Sequence, residues 1–152
     1  MEAYKAAIAP KYSSYLKTAN LTTLPYRKAA RALKHALTKG DEIEQYWGLV
    51  ACCWFGKEAR SLTKTIRGLE AEGSGLLRSK AAVYFALHCG ENPSDVFDAC
   101  ISGARNEGEW LMVLNDAAFL VEARPDLGVR IKPCEGVDDT YARERLKFIN
   151  GL

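Results

Sequence analysis

Apolar residues recur in the middle of the chain with a spacing of thirty-four residues. When the sequence is shifted by that spacing, the apolar positions of three segments coincide: Ile43 with Leu77 and Leu111, Val50 with Tyr84 and Ala118, Ala51 with Phe85 and Phe119, and Cys53 with Leu87 and Val121. Gly56 meets Gly90, and the third segment has Arg124 and Pro125 there. A period of this length is typical of proteins built from repeated helix pairs.

Turn residues between the apolar segments set the expected ends of the helices. Gly56 and Gly90 are suited to end a helix, Pro125 stops the third segment, and Gly73 and Gly108 lie in the loops. The predicted helices cover residues 25–38, 42–55, 58–69, 76–89, 94–104 and 109–123, with Ser94 or Asn92 capping the fifth. Residues 2–9 and 11–19 are predicted to form one or two more helices, broken at Pro10.

The C-terminal segment has a different pattern. Residues 127–134 are predicted to be an extended strap that leaves the last repeat. Asp138 and Asp139 are expected to cap a closing helix over 140–149. The packing residues expected on that helix are Tyr141, Leu146 and Ile149.

These elements predict an all-α fold, a short right-handed α-solenoid of HEAT- or armadillo-like helix pairs. Such pairs cannot bury their apolar sides alone, so stacking has to cover them. We expect one domain over 1–152, in which residues 1–40 form degenerate helices, 41–124 form the repeats, and 125–152 form the strap and closing helix.

The composition fits one domain, with 152 residues, 48% of them hydrophobic, and a net charge of only +2. The charge is uneven. Residues 1–40 carry eight Lys and Arg and one Glu, whereas residues 41–152 carry thirteen basic and eighteen acidic side chains. Arg27, Arg31 and Lys34 share one predicted helix face, opposite the apolar residues Ala29, Leu33, Ala36 and Leu37. The basic residues form either a solvated helix face or a partner surface.

Other sequence features exclude several classes of protein. No apolar stretch approaches the ~20 residues that span a bilayer, and no apolar secretory segment follows Met1–Lys5. Five cysteines, two of them adjacent at Cys52 and Cys53, do not fit a disulfide-stapled small protein. We expect a cytoplasmic protein if the chain is free-standing, and a periplasmic or secreted one if it belongs to a larger exported enzyme.

Two segments carry a recognisable pattern: Asp41–Gly48, which ends in Tyr46-Trp47-Gly48, and Phe55–Ala59, which follows it. They resemble the signature of certain bacterial sulfatases, in which a HEAT-like helical region follows the catalytic domain. The similarity continues through Leu77-Arg78, Ala81-Ala82, Ala86-Leu87 and Gly90, and covers roughly residues 20–150. The resemblance implies a helical region that packs on a catalytic domain, supports oligomer contacts, or shapes the rim of a substrate cleft.

The catalytic residues of that family are missing from this chain. Those sulfatases use a formylglycine made in a C/S-x-P-x-R motif and a calcium site, and no cysteine here lies in such a motif. We therefore predict no catalytic residue, cofactor or metal in this chain, and no hydrolysis of aryl sulfates.

The cysteines and histidines also lack the spacing of a zinc site. Cys53, Cys89 and Cys100 occupy repeat positions that hold apolar residues elsewhere, which predicts core packing. His88 and Cys89 are adjacent, so on a helix they diverge by about 100° and form a poor base–thiol pair.

The candidate interaction surface consists of Arg27, Arg31, Lys34, Tyr46, Trp47, Trp54, Asn115 and Asp116. Trp47 and Trp54 lie on one side of a helix, where they either pack in the core or face a missing domain. Asn115 and Asp116 interrupt an apolar helix, where they either line a concave surface or form a hydrogen bond between helices.

We thus expect a non-catalytic helical scaffold that binds a protein partner or a missing catalytic domain, or that forms a homo-oligomer. The alternatives are a free-standing adaptor and, less favoured, a HEAT-like DNA-binding protein. Nucleic acid is disfavoured because the later repeats are acidic.

Overall fold

A computed structural model describes residues 12–132 and 140–152, and in these ranges the chain is helical and contains no strand. The predicted all-α class is confirmed. The helices are α1 over residues 12–19, α2 (Tyr26–Lys39), α3 (Glu42–Phe55), α4 (Thr63–Glu72), α5 (Gly75–Cys89), α6 (Ser94–Ser102), α7 (Glu107–Ala123) and α8 (Thr140–Asn150). Short 3₁₀ segments cover Asn20–Thr23, Gly56–Leu62 and Pro125–Leu127.

Side-chain caps explain where several of these helices begin. Asp41 accepts hydrogen bonds from the backbone of Ile43 and Glu44, and the Glu44 side chain accepts one back from Asp41, which makes a capping box. Asn106 caps α7 by accepting from the backbone of Glu109 at 3.0 Å, so α7 begins two residues earlier than predicted. At the other end of α5, Gly90 adopts the left-handed conformation with φ 74°.

The predicted helix over 58–69 is wrong in its first half. The chain forms the 3₁₀ segment Gly56–Leu62 before α4 begins at Thr63. The buried residues of this segment are Gly56, Ala59 and Leu62, spaced by three. Side chains three residues apart lie above one another in a 3₁₀ helix, so this geometry places all three on the same buried side.

The spacing of thirty-four residues is visible in the structure. Helices α3, α5 and α7 end at residues 55, 89 and 123. Three positions per helix are buried at matched places, namely Gly48, Ala82 and Asp116, then Leu49, Val83 and Ala117, then Cys52, Ala86 and Leu120. Phe119 departs from the pattern, since it is exposed where Ala51 and Phe85 are buried.

The chain divides into two compact units, with the boundary after Ile66 inside α4. In the first unit α2 packs against α3 in the opposite direction: Tyr26 stacks edge-on against Phe55, and Gln45 bonds to the Leu37 carbonyl. The buried side of α2 consists of Ala29, Leu33, Ala36 and Leu37. That is the apolar face which the sequence predicts.

The second unit, Arg67–Leu152, is organised around α5 and α7. Helix α5 packs against α6 and α7, and α7 also packs against α6 and α8. After the last 3₁₀ segment, residues 128–132 are non-helical, and Val129 and Ile131 are buried. Asn150 fixes this segment by exchanging two hydrogen bonds with the Ile131 backbone, at 3.1 and 2.9 Å. The rest of the predicted strap lies outside the described residues, as do Asp138 and Asp139, the residues expected to cap the closing helix.

The closing helix has the predicted position, but its packing differs in part. Ile149 is fully buried, as expected. Tyr141 is exposed, Leu146 is half-buried, and Ala142 is buried instead. The small Ala142 side chain lies on the buried side of α8, the helix that packs against α7, whereas the neighbouring Tyr141 projects to solvent.

The close approach of α2 and α3 at Gly48 generates a stability prediction. A Cβ at Gly48 would lie 3.0 Å from the Leu37 Cδ2 and 3.6 Å from the Ala36 Cβ, whereas one at Gly68 in α4 would meet nothing within 4 Å. We expect Gly48→Val to lower the free energy of unfolding by about 1–3 kcal/mol through overpacking.

Gly68→Ala is the matched control, because it adds a Cβ to a helix without a clash. It is expected to raise the free energy of unfolding by about 0.5–1 kcal/mol through helix propensity. Urea unfolding measures both changes. Equal effects of the two substitutions would show that Gly48 is not a packing contact.

Candidate interaction surface

One side of α3 is apolar and exposed. Ile43, Trp47, Val50 and Trp54 follow one another at spacings of four, three and four residues, which places them in a single stripe along the helix. Ile43 is 44% exposed, Trp47 37% and Trp54 72%, while Val50 is half-buried. We call these four residues the α3 outer face.

The composition of α3 makes this exposure unusual. Between Glu44 and Lys57 the sequence has no charged side chain, so beyond its first turn α3 is apolar around its circumference. Such helices are normally buried on every side. Helix α5 behaves in that way, with every residue from Ala81 to Ala86 buried. Helix α3 is covered by α2 and by the flanking 3₁₀ segments, and its outer face stays open.

The Tyr46-Trp47-Gly48 segment contributes residues to two sides of α3, the side packed against α2 and the exposed side. Gly48 lies against Leu37 and Ala36, where only a small residue fits. Tyr46 packs edge-on against the Trp47 ring, with centroids 5.7 Å apart and an interplanar angle of 76°. That contact restrains the Trp47 indole on the exposed side. Core packing therefore does not account for Trp54, and only partly for Trp47.

The predicted basic residues lie together on the outer side of α2. Arg27, Arg31 and Lys34 are all exposed, on the side opposite the buried apolar residues. Lys28 and Lys39 are exposed on the same helix. Within the described ranges, no ion pair involves any of these five side chains. We call them the α2 basic face.

Asn115 and Asp116 connect helices. Asp116 is 7% exposed, accepts a hydrogen bond from the Ser79 hydroxyl at 2.8 Å, and forms an ion pair with Lys80. Asn115 is exposed and accepts a hydrogen bond from the Tyr141 hydroxyl at 3.4 Å. Asp116 therefore forms the helix-to-helix hydrogen bond that was one of the two interpretations, and it does not belong to an exposed surface.

The cysteines differ in their surroundings. Cys52 and Cys100 are buried, and burial raises the pKa of both thiols above the ordinary value. A raised pKa disfavours the nucleophilic thiolate. Cys53 is half-buried.

The prediction that Cys89 packs in the core is wrong, because this residue is exposed. Cys89 is the last residue of α5, directly before the left-handed Gly90. At the equivalent position of α3, Phe55 is buried because the Tyr26 ring packs against it. The neighbouring His88 ring lies against Tyr84, with centroids 5.1 Å apart.

Two kinds of feature are absent from the described part of the chain. No group of three or more His, Cys, Asp or Glu side chains is placed to hold a metal ion there. No helix in the same ranges is both long and apolar enough to cross a membrane. The sharpest signal that the sequence analysis left unused is Asp41 with Glu44, since the D-x-x-E spacing predicts the capping box that starts α3.

Comparison with known proteins gives no significant match to a family model, a curated protein or a solved structure.

The buried carboxylate of Asp116 generates a stability prediction. Asp116→Ala leaves the Ser79 hydroxyl without its acceptor and the Lys80 ammonium, whose side chain is 14% exposed, without that partner. We expect the free energy of unfolding to fall by about 2–4 kcal/mol, measured by urea unfolding.

The matched control is Asn115→Ala, one residue away on the same helix. Its single long hydrogen bond is exposed, so the expected change is within about 0.5 kcal/mol. A loss at Asp116 no larger than the loss at Asn115 would contradict the role of Asp116 as a buried link between helices.

Proposed function

We propose that this chain is a non-catalytic helical scaffold that binds a protein partner through the α3 outer face. One observation carries the proposal: a helix that is apolar around its circumference beyond its first turn leaves a stripe with two tryptophans in contact with solvent. Exposed apolar patches of this kind mark interaction sites.

The residues on the α3 outer face suit protein recognition. Tryptophan is among the residues most enriched in the energetic centres of protein interfaces, because it buries a large rigid surface with little loss of conformational entropy. Trp54 is the most exposed of the four residues and is the natural anchor. Trp47, restrained by Tyr46, provides a second ring seven residues away along the same side of the helix.

The proposed architecture is a short right-handed solenoid of HEAT-like helix pairs. It is supported by the equal spacing of the ends of α3, α5 and α7, and by the three sets of matched buried positions in those helices. A solenoid exposes long surfaces for partners while each repeat is stabilised mainly by its neighbours.

The proposed partner is a catalytic domain of the bacterial sulfatase class. This part of the proposal rests on the resemblance at Tyr46-Trp47-Gly48, the segment that supplies both the packing glycine and one ring of the α3 outer face. In that arrangement the catalytic domain covers the α3 outer face, and the chemistry belongs to the other domain.

A free-standing adaptor is the alternative, and it uses the same face with a separate protein. The gene distinguishes the two: a C/S-x-P-x-R motif in frame upstream of the Met1 codon supports the sulfatase form. An in-frame stop codon without that motif contradicts it and leaves the adaptor.

The role of the α3 outer face is tested by self-association of the isolated chain. An uncovered apolar stripe is expected to pair with itself, so sedimentation analysis of the isolated chain should show concentration-dependent association. The double substitution Trp47→Ser, Trp54→Ser removes both rings and should weaken that association by at least about tenfold, the effect of a single interface anchor.

Phe119→Ser with Phe148→Ser is the matched control. These rings are 49% and 43% exposed, and lie on α7 and α8. The control should leave the association constant unchanged. A monomer at every concentration, or an equal loss in the control, would contradict a docking role for the α3 outer face.

A further inference from the structure

A second surface of the first unit carries a different chemistry. We propose that the α2 basic face binds the phosphate backbone of nucleic acid through charge alone, without reading the base sequence. This activity would be independent of the protein contact proposed for the α3 outer face.

The charge of this region is one-sided. Residues 12–40 contain six Lys and Arg side chains and no Asp or Glu. The ion pairs of the described residues lie between Arg67 and Lys147 and involve six of the ten basic residues of the second unit, whereas no basic residue of α2 forms one. An anion bound at α2 would supply the missing counter-charge.

The positions of these charges disfavour the isolated helix. Arg27 and Arg31 are four residues apart, and Arg31 and Lys34 are three apart, spacings at which like charges repel on a helix. Arg27 and Lys28 also lie in the first turn, where the helix dipole is positive and no acidic side chain offsets it. Binding an anion would relieve both effects, so the arrangement favours a bound partner.

The surroundings of the basic residues point to phosphate rather than to an acidic protein or a membrane. Protein interfaces are enriched in aromatic residues and Arg and depleted in Lys, and three of the five cations of the α2 basic face are lysines with no exposed aromatic anchor among them. A surface-bound membrane helix inserts its apolar side into the lipid. The apolar side of α2 is already buried, at Ala29, Leu33, Ala36 and Leu37, which leaves only charge for a partner.

The length of the face matches a short stretch of backbone. From Arg27 to Lys39 the helix has thirteen residues, and the twelve steps between them correspond to about 18 Å at ~1.5 Å per residue. One DNA strand places a phosphate every ~3.4 Å, so about five phosphates lie along that length. The proposed contacts join guanidinium and ammonium groups to phosphate oxygens, which carry no base information, so binding should be independent of sequence.

The acidic second unit limits the affinity. Residues 67–152 carry ten basic and fourteen acidic side chains, which repel a long polyanion. The expected contact is therefore short and strong only at low salt.

The test measures fluorescence anisotropy of short duplex DNA, about 12 base pairs long, in about 20 mM and about 200 mM salt. The unmodified chain should bind two unrelated sequences equally. The variant Arg27→Gln, Arg31→Gln, Lys34→Gln should weaken binding at low salt by at least about tenfold. A plot of the logarithm of the association constant against the logarithm of the salt concentration should become less steep by about three, one for each side chain removed.

The matched control removes three cations elsewhere in the same unit. Lys57→Gln, Arg60→Gln, Lys64→Gln gives the same net charge at exposed positions outside α2, and should change the affinity less than about threefold. Thermal unfolding, monitored by circular dichroism, checks that both variants fold.

Three results would overturn the proposal. The first is no binding of the unmodified chain at low salt, and the second is an equal loss in the two triple variants. The third is tighter binding to phosphatidylserine vesicles or to polyglutamate than to DNA, which would assign the α2 basic face to a membrane or to an acidic protein.

Discussion

The first unit depends on the contact between α2 and α3 at Gly48. That glycine lets Leu37 and Ala36 approach the α3 backbone, so α2 covers one side of an apolar helix. Because α2 is amphipathic, its single apolar side is buried in this contact and its charged side faces solvent. The same constraint leaves the opposite side of α3 uncovered, and both proposed binding surfaces follow from it.

In the second unit, neighbouring helices cover the middle of the apolar helix α5 on all sides. Helix α5 is packed by both α6 and α7, and α7 by α8 as well, so the middle of α5 has no open side. The polar pair on α7 is divided between two neighbours, with Asp116 directed to Ser79 on α5 and Asn115 to Tyr141 on α8. Removing a buried carboxylate of this kind is costly, because its hydrogen-bond and ionic partners are then left without it.

Helix positions could be predicted from the sequence because their signals are local. Gly56, Gly90 and Pro125 mark the ends of α3, α5 and α7, and the apolar face of α2 follows from its period. The 3₁₀ turn before α4 could not be predicted, because residues 57–62, after Gly56, contain no Gly or Pro that distinguishes it from the start of an α-helix. The exposure of Cys89, Phe119 and Trp54 could not be predicted, since an apolar residue in a repeat shows that a side chain can be buried but not whether a neighbour covers it.

The central claim is that the outer face of α3 is open while its inner face is packed against α2. The most direct measurement is the ¹⁹F NMR shift of 5-fluorotryptophan at Trp47, Trp54 and the half-buried Trp110 on transfer from H₂O to D₂O. Single Trp→Phe variants assign the three signals. The account predicts that Trp54 shows the largest solvent shift, close to that of the unfolded chain. A Trp54 signal as insensitive to solvent as a buried ring would contradict it.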